Sequence, residues 1–235
     1  MNSRLPEERH PVPQAAMTAR AIQHSSNFRM GAILKTVVIP ASLTHTDPPM
    51  AKSQKSLKGC FLLDGGKLAG SFFHRAVVLI CKHDAEGAFG LILNRPLGAT
   101  VGEAVQGNLP EALRPLPLLA GGPVQEHALS YLYSEPGLTG DTILPELLLG
   151  HDLDQLVEWA ESPSLTRKLL VFAGYAGWSP GQLDDEMRRQ AWLTHPANQD
   201  WIFSSQPETL WRRIVSRKGW RLRLLAEEPD DLSLN

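Results

Sequence analysis

The chain has 235 residues, of which 43% are hydrophobic, with only two cysteines and a formal net charge of −2. That is enough apolar material for a sizeable core, and two cysteines are too few for a disulfide-stapled secreted fold. The longest apolar candidate for a membrane span, residues 32–43, is short and carries Lys35 and Pro40, so no transmembrane helix is expected.

Residues 1–56 are rich in Pro, Ser, Thr, Gln and His and show no sustained periodicity, which reads as a disordered N-terminal extension. An organelle-targeting peptide is a second reading, and a start placed too far upstream, with Met50 as the alternative, is a third and the one preferred. Residues 57–226 form one folded domain, followed by an acidic tail over 227–235. Charge divides along the same line. Residues 1–58 hold eight Lys or Arg against three acids, and the remainder fifteen against twenty-two. An acidic domain disfavours the broad basic face that nucleic acid requires.

Within the domain, Ala76–Cys81 and Ala88–Leu93 are continuous apolar runs on either side of turn residues Asp84–Gly87, which predicts an antiparallel pair covered on both faces. Further strands are expected over Leu116–Ala120, Ala128–Tyr133 and Lys168–Ala173, with a short edge strand over Leu222–Leu225. Helices are expected over Val101–Gln106, Leu153–Ala160, Leu183–Trp192 and Glu208–Val215. Asp152 is placed to cap the second, with Gln155 at the capping-box position. Ser179, Pro180 and Gln182 suggest an N-cap, first helical residue and box partner for the third; Ser205 and Glu208 suggest a weaker box for the fourth, which Gly219 then stops. The fold class is mixed α/β (α+β): a single domain with a mixed, largely antiparallel sheet or partial barrel flanked by helices.

Four ordered segments resemble the YqgE/AlgH family of bacterial proteins, also designated UPF0301. They are Lys58–Leu63 with Phe73–Cys81; His83 with Gly87–Pro96, ending Asn94-Arg95-Pro96; Gly121-Gly122-Pro123-Val124; and Gly174-Tyr175-Ala176-Gly177-Trp178 with Pro180-Gly181-Gln182-Leu183. The resemblance implies an uncharacterised protein carrying the label of transcriptional regulator, attached through genetic association. Two departures stand out. Asp64-Gly65-Gly66 replaces the family's Ala-x-Pro, which leaves the following loop open, and His151 replaces a glycine whose backbone position is a candidate for positive φ.

Residues 174–182 read as a strand exit, a glycine-hinged loop and a helix start. Gly174, Gly177, Ser179 and Pro180 are taken as structural, because Pro180 removes an amide donor and Asp184, Asp185 and Glu186 follow, which counts against a phosphate site. Asn94 and Arg95 at a strand end have the chemistry to recognise a carboxylate, a phosphate or a partner's backbone, or else serve as a turn. Trp178 reads as a binding anchor or a lid on the core. Asn94, Arg95, Gly121, Gly122, Tyr175, Trp178 and Gln182 are therefore the candidate ligand- or partner-binding surface.

No catalytic triad, metal-ligand spacing or cofactor fingerprint occurs, so no metal and no cofactor is expected. Cys60 and Cys81 lie in apolar runs, which fits a reducing compartment, the cytoplasm, and slow thiol chemistry. The resulting reading is a non-catalytic binding or regulatory module acting through a protein partner, with no membrane partner. The alternatives are an enzyme with a site near Asn94, Arg95 and the Gly174–Gln182 loop, or a direct nucleic-acid binder using the basic stretch from Arg212 to Arg223.

Overall fold

The computed structural model describes residues 55–134, 141–161, 168–204 and 206–227. The strands are β1 (Cys60–Asp64), β2 (Val77–Asp84), β3 (Gly87–Ile92), β4 (Pro96–Thr100), β5 (Pro117–Ala120), β6 (Val124–Ser134), β7 (Asp141–Leu144), β8 (Leu147–Gly150), β9 (Lys168–Trp178) and β10 (Trp192–Pro196). The helices are α1 (Val101–Ala104), α2 (Leu153–Glu161), α3 (Gln182–Arg188), α4 (Gln199–Ile202), α5 (Pro207–Val215) and α6 (Trp220–Glu227). The sheet is open and runs β10-β1-β2-β3-β9-β6-β8-β7, with β4 and β5 attached beside β9. Its ladders are antiparallel except for β5 against β9.

Continuous apolar strands imply cover on both faces, and the packing shows it. Phe61, Leu63, Val77, Leu79 and Leu91 meet α5, α6 and Phe172 of β9 in the main core. Their alternating neighbours Leu62, Val78, Ile80 and Ile92 point the other way, toward α3, Trp178 and Trp192. On the second half of the sheet, Tyr131, Tyr133 and Val171 pack beneath α1 and α2. The expected β2–β3 hairpin closes with Asp84 opposite Gly87 and Asp84 Oδ1 accepting the Glu86 N–H.

Four expectations change. Leu222–Leu225 is helical, because Leu222, Leu225 and Ala226 sit at helical spacing against the main core. The third helix stops at Arg188: Gln190 takes a left-handed φ of 54°, and Trp192–Pro196 becomes an edge strand on β1. It begins at Gln182, one residue before the expected Leu183, and its N-cap is Gly181 at φ 72° rather than Ser179. Gly174–Trp178 is a continuation of β9 rather than a loop. His151 has replaced glycine without a positive φ. Its ring instead bonds to Ser130 Oγ and lies edge-on to Phe89. Asp152 does cap α2, its Oδ1 accepting the Asp154 and Gln155 N–H groups, while Gln155 Oε1 receives the Tyr131 hydroxyl. The weaker box at Ser205 lies outside the described residues.

Candidate functional site

β9 is the axis of the molecule. Residues Lys168–Ala173 pair with β6, which also meets Tyr175 through Val124, and Val171–Ala173 pair with β5 as well, whereas Ala176–Trp178 pair with β3. The β6 ladder breaks register around Gly174, at φ +71°, and β3 takes over from Ala176. There the Gly121-Gly122 turn crosses the strand so closely that a Cβ on Gly121 would lie 2.2 Å from the Gly174 oxygen, and one on Gly122 2.1 Å from the Tyr175 carbonyl carbon. These glycines permit a backbone crossing. Gly121 is bonded on both sides of it, receiving Ile92 N–H and donating to Ala173 O, each at 2.9 Å.

Asn94 and Arg95 are engaged elsewhere. Asn94 is 3% exposed, its Oδ1 accepting the Val77 N–H at 2.8 Å and its Nδ2 donating to Arg75 O at 2.9 Å. Arg95 donates to the carbonyls of Asn94 and His74. Burial pushes its guanidinium below the usual arginine range, with the Asp64 carboxylate opposing. That carboxylate resolves the departure after β1. Asp64 is fully buried and accepts the N–H groups of Gly66, Lys67, Leu68 and Arg75, so its side chain organises the loop from 64 to 75.

Trp178 is 7% exposed and packs with Phe73 and Trp192. Its Nε1 donates to Glu186 Oε2 at 2.9 Å, and Trp192 Nε1 donates to the same oxygen at 2.7 Å. Gln182 bridges Ser179 N–H and Glu186 Oε1, while Ser179 O accepts the Gln182 N–H across Pro180. Tyr175 stacks on Phe89 with centroids 4.9 Å apart. The seven residues thus fall into three places: the glycine crossing with Tyr175, the Glu186 cluster with Trp178 and Gln182, and the Asp64 loop with Asn94 and Arg95.

A groove of about 590 Å³ lies beside the crossing. Its floor is Ala104, Leu118, Leu129 and Ala173, and Gly122 reaches it from among the residues chosen by sequence. Phe72, 41% exposed, and Leu97, 49% exposed, stand at its rim. Both long walls are strands with interrupted ladders. β4 pairs with β5 only at Pro96 and Thr100, leaving Leu97-Gly98-Ala99 bulged, and β6 breaks register with β9 between Val124 and Leu129. Its polar groups are Glu103, Glu126 and His127; Glu103 is already held by the N–H and hydroxyl of Thr100. No sequence period marks these residues, because the groove is made of bulges. Among the described residues there is no group of three or more His, Cys, Asp or Glu side chains suited to a metal, and no helix long and apolar enough to cross a membrane.

A family model described as AlgH-like matches residues 61–223. A UPF0301 protein of Streptomyces avermitilis is 38% identical over 185 residues, which span 77% of this chain and 96% of that protein. One from Chlamydia pneumoniae is 35% identical over 180 residues, spanning 76% and 95%. The solution structure of the AlgH protein from Pseudomonas aeruginosa is similar at a TM-score of 0.58 and 29% identity, covering 80% of this chain and 100% of that one. A crystal structure of a Corynebacterium diphtheriae protein shares the fold at a TM-score of 0.59 and 20% identity, over 76% and 95%.

Proposed function

Because this chain belongs to the AlgH-like family, whose designation names no reaction, we propose a role from its geometry: a non-catalytic binding module of the cytoplasm that receives an apolar segment of a protein partner in the groove beside β4 and β6. The observation that carries this reading is the pairing of an apolar floor with two exposed rim side chains, Phe72 and Leu97. A globular surface seldom leaves such side chains together without a use. The interrupted ladders of β4 and β6 add backbone along the groove that is free of regular pairing, suited to an extended segment. Any influence on transcription then passes through the partner, consistent with the acidic balance after residue 58.

Substitution at the rim tests the reading without disturbing the core. In photo-crosslinking from a cell extract, wild type and Arg213→Ala should yield the same adduct, and Leu97→Asp and Phe72→Asp should lose it while keeping the wild-type thermal midpoint. An adduct pattern that ignores both rim substitutions would remove the groove from consideration.

A further inference from the structure

We propose that α6 and the turn before it form a docking face that the chain's own C-terminal residues 228–235 occupy. α6 packs the buried Ala226 and the half-buried Leu222 and Leu225 against the core and leaves Trp220, 69% exposed, and Leu224, 55% exposed, one turn apart on its outer side. Around them Arg217, Trp220, Arg223 and Glu227 line a shallow hollow, whose side-chain charge is positive on balance. Arg217 is held in place over the Trp201 ring at 4.8 Å, and Arg221 lies over Trp220 at 5.3 Å. Among the described residues no carboxylate lies within ion-pair distance of Arg217, Arg221 or Arg223. No Asp or Glu occurs in sequence between Glu208 and Glu227.

The occupant follows from charge, reach and spacing. α6 carries arginines near its start and Glu227 at its end, followed by Glu228, Asp230 and Asp231, the reverse of what the helix dipole favours. A tail that folds back along the helix takes Glu228, Asp230 and Asp231 away from the C-terminal carbonyls and sets them against the arginines. Pro229 cannot continue the helix, so the chain is free to reverse there. Eight extended residues span about 26 Å against about 12 Å for the helix, so the tail reaches Trp220. Leu232 and Leu234 lie on one side of an extended segment about 7 Å apart, close to the rise of about 6 Å between Trp220 and Leu224. Because the tail is tethered, modest complementarity suffices for occupancy. The face shares no lining residue with the groove, so it stands independently of that reading.

Acrylamide quenching of the full chain, read as the difference between wild type and Trp220→Phe, tests the proposal. Wild type should show a shielded Trp220. The full chains E228Q/D230N/D231N and L232S/L234S should each lose that shielding at an unchanged thermal midpoint. R221E/R223E should also lose it, and adding D230K/D231K to that variant should restore it. Shielding should weaken at molar salt, where the screening length falls to about 3 Å. A Trp220 equally open in wild type and all variants overturns the proposal. So does shielding that appears only as protein concentration rises, which would assign the face to a second copy.

Discussion

Short polar side chains inside this molecule hold backbone rather than ligand. Replacing Asn94 by Ala would leave the Val77 N–H and the Arg75 carbonyl without partners, at a cost of about 2–4 kcal/mol, measurable as a lowered urea midpoint. Trp178, read from sequence as anchor or lid, is a lid tied to Glu186, so Trp178→Ala should destabilise by about 3–5 kcal/mol instead of sparing stability. Burial raises the Cys81 thiol far above its usual range, and native Cys81 should resist alkylation at neutral pH, with mass-mapped adducts as the readout. His151 titrates in the opposite sense. Burial lowers its pKa below the ordinary 6.5, so the unfolded chain takes up the proton first as pH falls. The stability it contributes is full above 6.5 and is lost as pH drops through its folded value. His151→Gln should therefore flatten the acid side of a plot of denaturation midpoint against pH.

Among the elements, β9 had the most visible sequence and the least legible structure. Its glycines suggest a loop on local grounds, since Gly weakens strands, yet they let one strand serve two neighbouring ladders. The two ends of that segment should respond differently to substitution. Gly122→Ala drives a Cβ into Tyr175 backbone, which cannot yield, and Gly174 needs φ +71°, so both variants should fold poorly by circular dichroism. Gly177 is exposed, has no positive φ, and its added Cβ would meet only the Tyr175 ring at 3.1 Å. Gly177→Ala should retain the wild-type melting curve to within a few degrees, against the expectation that this glycine is a backbone requirement. α3 shows a similar limit of local reasoning. Its stripe of Leu183, Met187 and Ala191 extends past Arg188, but the chain leaves the helix at Gln190 so that Trp192 can reach both β1 and Glu186.

For the whole molecule, the charge pattern bears on the regulator label. The basic stretch runs through α5, its following turn and α6, while the sequence after residue 58 is acidic on balance. A chain starting at Met50 should give no sequence-specific duplex footprint at physiological salt, and any weak binding by the full chain should vanish with added salt. A footprint that survives moderate salt and is lost on changing Arg212, Arg213 and Arg217 to Ala would make that stretch a DNA site.

The sequence by itself determined the elements whose signals are local: the β2–β3 hairpin with its Asp84–Gly87 turn, the apolar strands, the stripe of α5, the Asp152 cap and the family membership carried by four ordered segments. Tertiary structure decided which strand pairs with which, because ladders join residues far apart in sequence and a run such as Leu222–Leu225 fits either period until a core selects one. It also decided the groove. Leu97, Gly98 and Ala99 have no period of their own, and they acquire a role only because β4 bulges where it meets β5 and leaves an apolar floor open between them and β6.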